Sequence, residues 1–146
     1  MDYSNESETL GRNLVGRMVT ELYVGTGEAI LRFHTLTSDV YWGTDGDCCS
    51  ETWFADIYDL KYLIGHTVLS IHEVEQDDPH DGRSRQECDQ LVLITIVTDA
   101  GQCRIYWRNS SNGYYGGSVY ALEDPYPDTV WTKVEGPTWQ APEVSY

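Results

Sequence analysis

Two arginines and a tyrosine stand at alternate positions in the segment Gln102-Cys103-Arg104-Ile105-Tyr106-Trp107-Arg108-Asn109. Alternate side chains of an extended strand share a face. Arg104, Tyr106 and Arg108 therefore point one way, and Cys103, Ile105 and Trp107 the other. A guanidinium is a planar fork of donors suited to phosphate or carboxylate, and a phenol offers a stacking surface with a polar edge. The row runs into Asn109-Ser110-Ser111-Asn112-Gly113-Tyr114-Tyr115, which adds amide and hydroxyl donors, two rings, and a glycine that lets a ligand approach the backbone. Arg104, Tyr106, Arg108, Asn109, Ser110, Ser111, Asn112, Tyr114 and Tyr115 form the candidate site, and its chemistry is capture of a small anionic, nucleotide-like ligand. The same residues also describe an ordinary hairpin. Asn-Gly favours a tight turn, tyrosine pairs stabilise strands, and surface arginines pair with acids.

Other chemistry has less to stand on. The chain contains no Gly-x-Ser-x-Gly, His-Glu-x-x-His or phosphate-loop pattern. His34, His66, His72 and His80 have no recognisable catalytic partners, and nothing singles out a carboxylate pair among the 24 acids. A non-catalytic protein without a cofactor is the expectation. Asp45, Asp47, Cys48 and Cys49 invite a metal, but vicinal cysteines lack the usual zinc-ligand spacing, and Cys88, Cys103, His66 and His72 supply no matching half. No metal is expected.

Nine basic residues against 24 acidic ones leave a net charge of -15. Affinity for nucleic acid or an anionic membrane comes from basic residues, so neither is an expected partner. The charge suits a well-solvated acidic surface or, as the alternative to a small anionic ligand, a basic host protein as partner. The acids Asp77, Asp78, Asp81, Glu123, Asp124 and Asp128 raise the idea of a nucleic-acid mimic occupying that partner's groove. No segment approaches the roughly 18 apolar residues of a membrane span, and the acidic opening Met1–Asn13 lacks the features of a signal peptide. A cytoplasmic location is expected, with all four cysteines reduced.

The elements that position these groups read as short β runs. Residues 18–24 and 28–34 flank the turn Gly25-Thr26-Gly27, with Ala29, Leu31 and Phe33 on an apolar face and Ile30, Arg32 and His34 on a mixed one. Further runs cover 38–43, 51–57, 67–75, 90–99, 102–109 and 118–124. The run 67–75 puts Val68, Ser70, His72 and Val74 on one face, with Leu69, Ile71, Glu73 and Glu75 on the other. A two-residue turn at Ala100-Gly101 sets Ile96 opposite Ile105 and Ile94 opposite Trp107. Ile57, Leu60, Leu63 and Ile64 are spaced for a short helix stopped by Gly65. Residues 76–89 form a long charged loop, and the first dozen residues read as a frayed terminus. The expected fold is mainly β (α+β): an antiparallel sheet of about six or seven strands with one short helix. A single β-rich domain is expected over 1–123. The acidic tail 124–146, with Pro125, Pro127, Pro137, Pro142, Trp131 and Trp139, is expected to pack on that domain or on a neighbour.

Four motifs carry a resemblance: Asp47-Cys48-Cys49, Asp56-Ile57, Leu63-Ile64-Gly65, and Ser110-Ser111-Asn112-Gly113-Tyr114-Tyr115. In this order they resemble a family of small uncharacterised proteins from tailed bacteriophages and bacterial prophages, over roughly residues 11–120. Thr44 and Gly46 stand where that family often has a His and a Gln. The resemblance implies a viral accessory protein in an infected or lysogenic bacterial host, for which counter-defence is a common role. Sequestering a host immune signal is then one use of the candidate site. The alternatives are an acidic inhibitor docked on a basic host protein, and a virion or assembly component. A homo-oligomer is also expected, because small β proteins often pair edges or faces.

Overall fold

Short runs of β-branched and aromatic residues, broken by glycine and proline, favour strands over helices. The computed structural model describes residues 6–46, 51–76, 90–110 and 117–142. It contains β1 (Met18–Gly25), β2 (Ile30–Thr35), β3 (Asp39–Gly46), β4 (Glu51–Tyr58) and β5 (His66–Gln76). After these come β6 (Gln90–Thr98), β7 (Gln102–Ser110), β8 (Gly117–Leu122), β9 (Trp131–Lys133) and β10 (Thr138–Gln140). One short helix, α1 (Glu8–Gly11), and 3₁₀ turns at Thr26–Glu28 and Leu60–Tyr62 complete the described elements.

All the strand pairs are antiparallel. The ten-stranded sheet runs β10-β4-β7-β6-β5-β1-β2-β3-β8, with β9 paired to β1. β1 is the junction. One of its edges carries β2, while the other is shared, Met18 and Val19 pairing with β5 and Tyr23, Val24 and Gly25 with β9. Around this junction the sheet turns over on itself, so both halves contribute to one core. Leu22, Leu31, Phe33 and Trp42 come from one half; Phe54, Ile57, Ile71, Ile94, Ile96, Ile105 and Trp107 come from the other. The rings of Phe33 and Trp42 meet at 4.6 Å, and truncating such a buried ring to alanine costs about 3–5 kcal/mol.

The mainly antiparallel β class and the single short helix agree with the sequence reading, but the strand count is higher. The additional strands, β9 and β10, lie within 124–146 and pair with β1 and β4, so strands on both sides of residue 123 share one sheet. The helix is also elsewhere. Over 57–65 the chain stays in β4 through Tyr58, turns at Asp59 (φ 62°), and makes one 3₁₀ turn before Gly65 (φ 82°). β4 is hydrogen-bonded to β7 on one edge and β10 on the other, and this pairing overrides the apolar spacing. The helix forms instead in the segment read as frayed. Ser7 caps it by accepting from the Leu10 amide at 3.2 Å, Leu10 and Leu14 are buried, and the Trp42 indole donates to the Leu10 carbonyl at 3.3 Å.

Two register details also differ. β5 has an irregularity between Val68 and Ser70, which pushes Leu69 out to 54% exposure while Val68 and Ile71 both turn inward. Between β6 and β7, Ile96 faces Cys103, Ile94 faces Ile105 and Val92 faces Trp107. The Thr98 amide bonds to the Gly101 carbonyl at 2.8 Å, so the turn is centred on Asp99-Ala100, one residue earlier than expected. The slip is even-numbered, and every side chain keeps its face.

Candidate functional site

Several strands terminate together at one end of the sheet. There Gly46 faces Gly117, Glu51 faces Ser110, Asn109 faces Gln90, and Gln76 faces Leu91. These strand ends are the attachment points of segments 47–50, 77–89 and 111–116. Asp47, Cys48, Cys49, Asp77, Asp78, His80, Asp81, Cys88, Ser111, Asn112, Gly113, Tyr114 and Tyr115 lie in those segments, outside the described residues.

The base of this end is a buried polar chain. Asn109 donates to Thr52 Oγ1 at 2.7 Å, and Thr52 donates to the Asp45 carbonyl at 3.1 Å. Beside them the Gly117 amide donates to Gln90 Oε1 at 3.1 Å. A Cβ at Gly117 would sit 2.1 Å from Thr52 Oγ1 and 2.6 Å from Asn109 Nδ2, so the contact needs a glycine. On the core side, the Trp107 indole donates to Glu73 Oε2 at 3.2 Å. Burial lifts the Glu73 carboxyl above its ordinary 4.5, and the indole hydrogen bond partly offsets that rise.

Arg104, Tyr106 and Arg108 share the opposite face of β7, as strand alternation requires, but they are not equally open. The Arg104 side chain is 38% exposed and donates to Asp59 Oδ2 at 3.2 Å. Its guanidinium lies 5.1 Å from the Tyr58 ring centre, and Tyr58 meets Tyr106 edge-on at 5.8 Å and 85°. Arg108 is only 2% exposed, in register with Trp53 on β4 and Leu91 on β6. The three side chains share a face as expected, but Arg108 is not open to solvent. β7 is an interior strand, and the large side chains flanking it there enclose the guanidinium. Asn109 is also buried and Ser110 half-buried.

Cys103 is fully buried, and burial pushes its thiol up to about 12. It is therefore protonated at neutral pH and unsuited to nucleophilic chemistry. Among the described residues no three His, Cys, Asp or Glu side chains gather to hold a metal, and no helix there is long and apolar enough to cross a membrane.

A second basic and aromatic group was missed in the sequence. Arg32 lies on the mixed face of β2, and its ring partners come from β1 and β9. Alternation could place Arg32 on that face. It could not find Trp131, whose strand joins β1 only through tertiary pairing.

The geometry defines a protein built on one antiparallel sheet, with a buried polar chain at one end and an arginine–tyrosine row alongside. The chain belongs to the family described as Domain of unknown function (DUF7448), whose model matches residues 12–121. This interval ends within β8 and leaves out β9 and β10. One relative is Uncharacterized protein L278 of Acanthamoeba polyphaga mimivirus, 38% identical over 76 residues, a match covering 50% of this chain and 60% of that protein. The chain thus has a viral relative. No solved structure matches.

Proposed function

We propose that this protein is a non-catalytic viral accessory protein that captures a small anionic, nucleotide-like ligand on the Arg104–Tyr106 side of β7, with residues 110–115 completing the site. The observation that carries the reading is the Arg104 guanidinium set beside two tyrosine rings that are themselves in edge contact. A cation and ring surfaces held in one place suit a phosphate attached to a base or sugar. Asp59 pairs with Arg104, but a pair this exposed is worth only about 0–1 kcal/mol. A phosphate can compete for the same donors. The viral relative supports the viral setting; within it, the proposed use is to hold a host immune signal away from its receptor.

Calorimetry with cyclic nucleotides and ADP-ribose-type nucleotides tests this. At least one should bind, and Arg104→Gln should weaken it about tenfold or more, the loss of a charge-assisted contact. Absence of heat from every ligand, with protein shown to be folded, ends the proposal.

A second reading has its own observation: Glu123, Asp124 and Asp128 are all exposed in a chain of net charge -15. Such a surface suits docking on a basic host protein. Salt-sensitive capture of a nucleic-acid-handling protein from a host lysate supports this reading; its failure under low salt counts against it.

A further inference from the structure

We propose a second anion site on the other half of the sheet, where Arg32 receives a phosphate or carboxylate edge-on between the rings of Tyr23 and Trp131. It shares no residue with the Arg104–Tyr106 row and does not depend on it.

The cross-strand register builds the site. Arg32 on β2 faces Tyr23 on β1 and Tyr41 on β3, so the three side chains form one row on the outer face. β9 supplies the fourth member. Trp131 pairs with Gly25, and its ring passes over that residue, reaching within 3.3 Å of where a Cβ would stand. The Arg32 guanidinium lies 4.0 Å from the Tyr23 ring centre and 4.8 Å from that of Trp131, and Trp131 in turn lies 6.0 Å from Tyr41.

Two further facts point to a ligand. Acids outnumber bases 24 to 9 in the whole chain, yet among the described residues no carboxylate pairs with Arg32. The acids in the adjacent row are already engaged, Asp39 with His34 at 2.6 Å and Glu21 with Lys133 at 2.9 Å. In addition, Arg32 Nε is buried without a hydrogen-bond partner, an arrangement that costs free energy unless something satisfies the group. The terminal N–H groups of Arg32, which are not buried as Nε is, are the donors left for an incoming group. That geometry selects a planar or tetrahedral oxyanion over a neutral ring. The aromatic walls also exclude water and strengthen the contact.

The test is an NMR titration of the full chain with inorganic phosphate and, separately, with acetate at constant ionic strength. Signals are assigned to the Arg32 Nε–H and the Trp131 indole with Arg32→Lys and Trp131→Phe. The proposal expects a saturable shift of both signals with at least one anion. Arg32→Gln should weaken it at least about tenfold, Arg32→Lys should weaken it less, and Arg104→Gln should leave it unchanged. The anion that saturates at lower concentration identifies the ligand as phosphate- or carboxylate-bearing. Should Arg32→Gln fail to fold, the wild-type titration and Arg32→Lys still decide. No saturable shift with either anion, or a shift abolished by Arg104→Gln instead, overturns the site and makes the cluster a clamp for β9 alone. Nucleotide binding that depends on Arg104 and ignores Arg32 would leave the proposed function standing without this inference.

Discussion

Asn109 donates its side-chain amide to the Thr52 hydroxyl at 2.7 Å, and through Thr52 it is linked to the main chain of β3 at Asp45. Among the described residues β3 and β4 form no ladder, so side chains make this connection between the two halves of the folded sheet. A chain of bonds in which one hydroxyl both donates and accepts is mutually strengthened in a buried setting. The same contacts hold the ends of β3, β4, β7 and β8 together at this corner.

Gly117→Ala should be among the most damaging small substitutions. The added methyl would overlap Thr52 Oγ1 and Asn109 Nδ2, and overpacking of this kind costs about 1–3 kcal/mol or more. Asn109→Ala should cost about 1–3 kcal/mol by stranding the groups that bond it. Urea unfolding midpoints of both variants test the claim. A Gly117→Ala protein as stable as wild type would show that the corner is loose.

Glu73→Gln should hold or raise stability at neutral pH. The folded protein keeps the Glu73 proton to higher pH than the unfolded chain, whose carboxyl titrates near 4.5. Between that value and the raised one the folded state binds more protons, and stability falls as pH rises. Glutamine still accepts from the Trp107 indole and carries no charge to desolvate. Thermal melts at neutral and acid pH should show an advantage for the variant that fades below about pH 4.5, where both forms of the wild type are protonated.

Cys103 should resist alkylation at pH 8 in the folded protein and react after unfolding, as read by peptide mapping with iodoacetamide. Its thiol titrates near 12 in the fold and at an ordinary value of 9.0 when released. In that alkaline window the unfolded chain loses a proton that the folded one keeps, so this group lowers stability as pH rises from 9.0 to about 12. Rapid modification of native Cys103 would contradict its burial.

Trp42→Phe retains a ring against Phe33 but loses the indole bond to the Leu10 carbonyl. A loss of about 0.5–1.5 kcal/mol is expected from the hydrogen bond, with the smaller ring adding to it. Amide exchange should accelerate at Leu14 and Val15, which bond back to Gly11. Unchanged exchange there would mean that Trp42 does not anchor α1.

Much of the β architecture was legible because alternation is a local property. Leu31 and Phe33 in β2, and Ile105 and Trp107 in β7, fall on the core side as their spacing requires. What escaped depended on partners distant in the chain. The run Ile57, Leu60, Leu63, Ile64 has helical spacing, but β7 and β10 hold Ile57 in a strand. The helix at Glu8–Gly11 had its Ser7 cap in plain view, yet what orders it is Trp42 and the core beneath Leu10 and Leu14.

The candidate site divides the same way. That Arg104, Tyr106 and Arg108 share a face follows from the two-residue repeat of a strand, and this could be read from the chain alone. Which of them meets solvent was decided by neighbours. Trp53 and Leu91 flank Arg108 in the register, while Arg104 stands beside Tyr58 and Asp59 near the surface. Local sequence sets the direction of a side chain through backbone geometry. Burial, ion pairing and the meeting of Arg32 with Trp131 depend on which strands the folded sheet brings side by side, and only the tertiary structure decides that.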